Sequence, residues 1–314
     1  MKKVLILMFF SISLVFAQES VFHSILKNVS IPNVNEAVNS AENLQKNLEK
    51  ENFTKLVKSW KKVEALYFAG DIDENYIDIP RYIDVYHNLK EDLPKQMQKV
   101  INSKDEASIA LFKNSFRTIN ALEYVLFNDN KITPREELLA KEILNTIISN
   151  LEEIKDVYEN YLKIKPKDEK WENAVIINTL IASTYRLKEW RIGEASGNAS
   201  KYKDDVNNER AEYFLSKNSF SAIKAILEAH NQVMAAQKYL DFGKMAASTG
   251  AKDEVALVQN SIKKSFEELD KLKNDDFTNA KVLYDSAKDL HNAYYLSLIE
   301  QLSVTAKILD ADGD

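Results

Sequence analysis

From residue 134 to residue 165, Ala140, Leu144, Ile147, Leu151, Ile154, Tyr158 and Tyr161 recur at alternating steps of four and three. That spacing puts all seven on one side of an α-helix and excludes a strand, whose side chains alternate every second residue. Thr133, Pro134 and Glu136 supply a helix start, with Pro in the first turn and Glu three residues after Thr. Pro166 supplies a stop.

The same periodicity predicts further helices at about 34–69 (with a break near 50), 81–102, 105–127, 170–194, 208–241, 251–273 and 276–309. Only six glycines and five prolines interrupt 314 residues, and the intervening loops are short enough to join antiparallel neighbours. The expected fold is all-α, as two up-and-down helical bundles of about four helices each. The charged, proline-containing joint near residue 166 divides them into an N-terminal bundle over 18–166 and a C-terminal bundle over 167–314.

Residues 1–17, MKKVLILMFFSISLVFA, read as a Sec-type signal peptide: two lysines, an apolar run from Val4 to Phe16, and small Ala17 at the cleavage point. The run is shorter than the roughly 20 residues that span a bilayer. The expectation is an exported, periplasmic protein with no transmembrane segment in the mature chain. Formal charge is −6 overall, from 42 basic and 48 acidic residues, and −8 once Lys2 and Lys3 leave with the signal (40 against 48). An acidic chain argues against nucleic acid as a partner. With no cysteine, disulfides, thiolate metal sites and a nucleophilic Cys are all excluded.

Two acids break the apolar stripes. At 100° per residue, Phe112, Phe116, Ile119, Leu126 and Phe127 occupy one sector with Glu123 at its centre and Asn120 a turn before it. Glu64 is placed in the same way among Phe53, Val57, Trp60 and Tyr67. A buried carboxylate needs a cation, a proton or strong hydrogen bonds, because desolvation of the charge costs several kcal/mol. Asp84 and His87 have the i, i+3 spacing that, with paired glutamates, holds metals inside helical bundles, although a solvated helix face also accommodates Asp84. Glu123, Asn120, Glu64, Asp84 and His87 are therefore the candidate set for a ligand or for iron or another divalent cation. His230 and His291 fall on or beside apolar stripes, where a hydrogen-bonded core residue is the commoner role. Arg191 and Glu194 could line a groove between the bundles or form a surface ion pair, and the glycines of RIGEASG read as a helix end and turn. Ser216, Ser219 and Arg210 stand near the start of a later helix and could serve a ligand or a partner. Zinc-protease, nucleophile-elbow and phosphate-loop motifs do not occur.

TINALEYVLF, residues 118–127, resembles the signature of the imelysin-like family, a Gly-x-His-x-x-Glu helix continued by Tyr and apolar residues. Glu123 keeps the acid, while Thr118 replaces the glycine and Asn120 the histidine. LVKSWKKVEALYFAG, RIGEASG and ERAEYFLSKNSFSAI follow the family's order over most of the mature chain. The resemblance implies two helical bundles with a site between or beside them, a periplasmic or envelope location, an association with iron uptake, and a metallopeptidase label. An amide oxygen in place of imidazole is a poor ligand, which argues against a catalytic metal on this helix. Three functions are consistent with these features: an iron-acquisition binding or accessory protein, a metal-dependent peptidase with Glu123 as base, and a helical scaffold for another envelope protein.

Overall fold

The structure, a computed structural model, describes residues 19–87, 91–129 and 131–307; the signal-peptide segment lies outside them. The protein is all-α: 72% of the described residues are helical, and no strand occurs among them. The longer helices are α1 (Ile31–Lys46), α2 (Lys50–Ala65), α3 (Leu93–Asn102), α4 (Ile119–Phe127), α5 (Pro134–Tyr161), α6 (Glu169–Arg186), α7 (Ser219–Met234), α8 (Lys252–Leu269) and α9 (Lys281–Asn292).

Helix α5 starts as its sequence dictates. The Thr133 side chain accepts the Glu136 N–H and the Glu136 carboxylate accepts the Thr133 N–H, a reciprocal cap, and the stripe from Leu139 to Tyr161 is buried along its length. Helices α1 and α2 are separated by a break at residues 47–49. Helix α2 buries Phe53, Leu56, Val57, Trp60 and Val63, and packs against α1 on one side and α7 on the other. Each such fully buried side chain contributes about 1.5–3 kcal/mol of hydrophobic stabilisation. Helix α1 also packs on α5, and α7 on α8, which in turn pairs with α9.

Three expected helices are broken, each with a consequence for function. The predicted helix at 81–102 is a short helix Ile79–Ile83, an irregular segment carrying Asp84 to His87, and then α3. The predicted helix at 105–127 is interrupted between Ala110 and Ile119, so Phe112 is 72% exposed instead of sharing the buried sector with Glu123. The predicted helix at 208–241 begins only at Ser219, after a stretch in which Tyr213 and Lys217 take positive φ (59° and 58°). That conformation is sterically costly for residues with a Cβ and is held in place by surrounding contacts.

The buried residues form one continuous apolar core that runs from Val21 to Ile299. We propose that the chain divides near residue 166 into the two bundles expected from its sequence, with α2 and α7 packed together across the division. No helix of the described residues is long and apolar enough to cross a membrane.

Candidate functional site

Lys61 lies one residue past Trp60 on α2 and is completely buried. A buried ammonium has three N–H donors to satisfy, and each finds a carboxylate: Glu64 Oε2 at 2.7 Å, Asp84 Oδ2 at 2.7 Å and Glu212 Oε1 at 2.5 Å. Arg191, also buried, closes the cluster from the other side. Its Nε donates to Glu212 Oε2 at 2.9 Å, and its Nη2 donates to both Glu64 oxygens at 2.8 Å. Asp84 accepts three further hydrogen bonds, from the Trp60 indole (3.0 Å), the Tyr213 hydroxyl (3.0 Å) and the Tyr86 N–H (2.9 Å).

The electrostatics follow from that geometry. Burial alone would lower the Lys61 pKa, yet Asp84, Glu212 and Glu64 together raise it, so the ammonium stays charged. Burial opposes ionisation of Asp84 and Glu64 as well. The Lys61 charge and hydrogen bond outweigh it for Asp84, and Arg191 and Lys61 outweigh it for Glu64, so both carboxyls are held below their ordinary range. Three carboxylates share two cations, however. Burial, helped by Asp84 and Glu64, pushes Glu212 up to about 7 against the pull of Arg191 and Lys61.

Glu123 is buried on α4 as its place on the wheel requires, but it stands apart from this cluster. Its Oε1 accepts the Ser216 N–H at 2.9 Å and the Ser216 hydroxyl at 2.7 Å, and burial pushes its carboxyl up to about 7 despite those donors. Asn120 Oδ1 accepts the Val85 N–H at 2.7 Å and so ties α4 to the segment that carries Asp84. Thr118 caps the start of α4, its hydroxyl accepting the Ala121 N–H.

The other candidates are placed as follows. Asp84 is not on a solvated helix face: the helix ends at Ile83, Asp84 is extended and buried, and His87 has φ 67°. Asp84 and His87 therefore do not form an i, i+3 helical pair. His87 Nε2 lies 2.6 Å from Glu194 Oε1, with the ring stacked on Trp190 at 4.2 Å between centroids. Arg191 and Glu194 are not a surface pair, since Arg191 is buried against Glu64 and Glu212 while Glu194 serves His87. Ser219 donates its hydroxyl to the Glu212 carbonyl at 2.6 Å and its N–H to Asp275. Arg210 pairs with Asp205 at the surface. His230 is a core residue between Ser183 (3.0 Å) and Tyr294 (3.1 Å), and burial lowers its pKa to about 3. Lys61 and Glu212, the centre of the cluster, escaped sequence reasoning. A wheel does put Lys61 four residues after Val57 and three before Glu64, but Lys in SWKK has the look of a solvated face.

A cavity of about 380 Å³ opens beside the cluster. Glu64 and Asp84 contribute to its wall, opposite Thr179, Ala182 and Arg186 of α6. The donor chemistry does not fit a resident metal ion. The oxygens of Glu64 and Glu212 and Asp84 Oδ2 are claimed by Lys61 and Arg191, Asp84 Oδ1 by the Tyr86 N–H, Glu123 Oε1 by Ser216, and the His87 imidazole by Glu194. Among the described residues, no group of three His, Asp or Glu side chains is arranged to hold a cation.

In known structures this fold recurs. An imelysin-like protein from Psychrobacter arcticum superposes with a TM-score of 0.76 at 14% identity, covering 91% of this chain and 96% of that one. A protein described as an iron-regulated protein A precursor, from Parabacteroides distasonis, gives 0.64 at 12% identity, covering 90% and 94%. At those identities the likeness is one of fold. No curated protein matches the sequence. The sequence pattern of the family described as Imelysin matches residues 31–305, a span that contains the whole Lys61–Arg191 cluster, the cavity wall from Glu64 to Trp190, and Glu123. With most of its length and its buried acid accounted for in this way, the chain belongs to the imelysin family.

Proposed function

We propose that this protein is an exported accessory protein of iron acquisition, working with envelope proteins of iron uptake and binding a small ligand in the cavity between α6 and the segment from Tyr67 to Tyr86. One observation carries the reading: a cavity of about 380 Å³, within the range of small-molecule sites, is walled on one side by carboxylates already neutralised from within. Membership of the imelysin family, the fold shared with a protein described as iron-regulated, and the signal-like N-terminal sequence support the iron and export parts. Iron is here what the system handles. A divalent cation held directly by Glu64, Asp84 or His87 would have to displace Lys61, Arg191 or Glu194, and at Glu123 it would compete with Ser216 for Oε1.

Peptide hydrolysis with Glu123 as general base fits less well. Metal-assisted hydrolysis needs about three protein ligands and an open position, and on this helix Asn120 is engaged with a backbone N–H. The test is iron uptake by a strain lacking the gene, complemented either with the wild-type gene or with Ala182→Phe, which fills the cavity from its wall. Restoration by wild type and failure by the folded Ala182→Phe protein is the expected result. Uptake that is indifferent to the deletion would overturn the proposal.

A further inference from the structure

The cavity wall carries three cations, and two of them are matched. Lys307 pairs with Asp71, and Arg81 with Asp78. The third, Arg186 at the last turn of α6, makes no hydrogen bond or ion pair among the described residues; its contact is with the face of Trp190, 6.0 Å from the ring centroid. Thr179, two turns earlier on the same helix, also lines the cavity, and its hydroxyl makes no hydrogen bond among the described residues. Ala182 on α6, with Ile77 and Pro80, gives the wall an apolar part among polar neighbours such as Asn178 and Ser183.

We propose that this cavity binds a small organic monocarboxylate, its carboxylate held by Arg186 with help from Thr179 and its apolar body lying against Ala182, Ile77 and Pro80. This deepens the proposed function, resting on its reading of the cavity as the ligand site. A guanidinium presents parallel N–H donors that match a carboxylate, and a partly desolvated one gains more from the pairing than an exposed one. Arg186 is the one cation of this wall without a direct ion pair among the described residues, and that sets the ligand's charge. A dianion such as phosphate would bring a second charge that no second free cation of the wall matches, and a metal cation would be repelled by Arg186 while Glu64 and Asp84 of the wall are already held by Lys61 and Arg191. Burial already disfavours the charged form of Arg186, while Glu64 favours it, so an arriving anion relieves an existing strain. The volume equals about a dozen waters at ~30 Å³ each, room for a body of the size of benzoate or hexanoate.

The test is isothermal titration calorimetry of the purified chain with benzoate, hexanoate, the uncharged isostere benzamide, succinate and inorganic phosphate. Saturable one-site binding of benzoate or hexanoate is expected, with benzamide, succinate and phosphate weaker by on the order of tenfold or more, the scale of a lost charge-assisted contact. Arg186→Gln should lose the same factor and Thr179→Val a smaller one, both with unchanged circular dichroism because neither side chain makes a hydrogen bond or ion pair among the described residues. No saturable carboxylate, tighter binding of phosphate or benzamide, or an Arg186→Gln protein that binds benzoate as well as wild type would each overturn the assignment. Should Arg186→Gln misfold, the benzoate-to-benzamide ratio on wild type still decides. Carboxylate binding alongside iron uptake that is indifferent to the deletion would remove the iron reading alone; the reverse pattern would remove only the ligand class.

Discussion

At the scale of single residues, the protein handles its buried charge in two ways. Around Lys61 the acids are paired with cations. Glu123 instead has, among the described residues, the two Ser216 donors, and burial lifts its carboxyl from 4.5 to about 7. A carboxyl whose folded pKa lies above its unfolded one stabilises the fold most when both states are protonated, below about pH 4.5, and that stability is lost as pH rises through about 7. The loss approaches roughly 3 kcal/mol at ~1.4 kcal/mol per unit. Thermal unfolding from pH 4.5 to 8 should therefore show wild type losing ground to Glu123→Gln as pH rises, with a residual slope in the variant from Glu212, which shifts the same way. Parallel curves would refute the buried-acid account. Lys61→Met should cost roughly 3–5 kcal/mol at pH 7 by urea denaturation, because it leaves three buried carboxylates with one cation. A loss under about 1 kcal/mol would mean those carboxyls carry protons instead. The inward acids were legible because a carboxylate in the middle of an apolar stripe contradicts its surroundings. Their partners were not: Arg191 and Glu212 come from residues more than 120 positions away, and no local pattern records such a contact.

At the scale of elements, periodicity located the helices and misjudged where three of them stop. α5 was fully readable, since its stripe and its reciprocal cap are local features. The breaks after Ile83, at 111–118 and before Ser219 were not, because the apolar periodicity runs on across them and tertiary contacts override it. The first and last of those irregular segments deliver Asp84, Glu212 and Tyr213 to the Lys61 cluster and Ser216 to Glu123, placements a continuous helix could not make. RIGEASG is divided: Gly193 lies inside the helical run that continues to Ser196, whereas the turn reading holds at Gly197, which ends that run at φ +67° and where a Cβ would stand 2.8 Å from the Asp205 backbone. Gly197→Ala is expected to cost more than about 1 kcal/mol, because left-handed backbone and steric overlap act together. Unchanged unfolding in urea would show that the 197–205 turn relaxes freely.

For the molecule as a whole, the question is whether the proposed division near residue 166 produces two independently stable bundles. Lys61, Glu64 and Asp84 belong to the first part, Arg191 and Glu212 to the second, and the ion pairs among them join the parts in the interior. α2, carrying Lys61, lies between α1 of its own part and α7 of the other. Separation would expose the apolar face shared by α2 and α7, and would leave Lys61 facing two acids without Glu212 and Arg191 facing one without Glu64. Breaking a buried pair costs roughly 3–5 kcal/mol, a large share of the ~5–15 kcal/mol by which domains are stable. Neither part should therefore survive the unfolding of the other. Heat or urea should give a single transition, with ellipticity superimposable on the fluorescence of Trp60, Trp171 and Trp190, which report on both sides of residue 166. Lys61→Met should lower that transition without splitting it, because the apolar α2–α7 contact remains. Two resolved transitions in wild type would show the buried ion pairs to be incidental to cohesion, and would make relative motion of the bundles, opening and closing the cavity between them, the natural way for a ligand to enter.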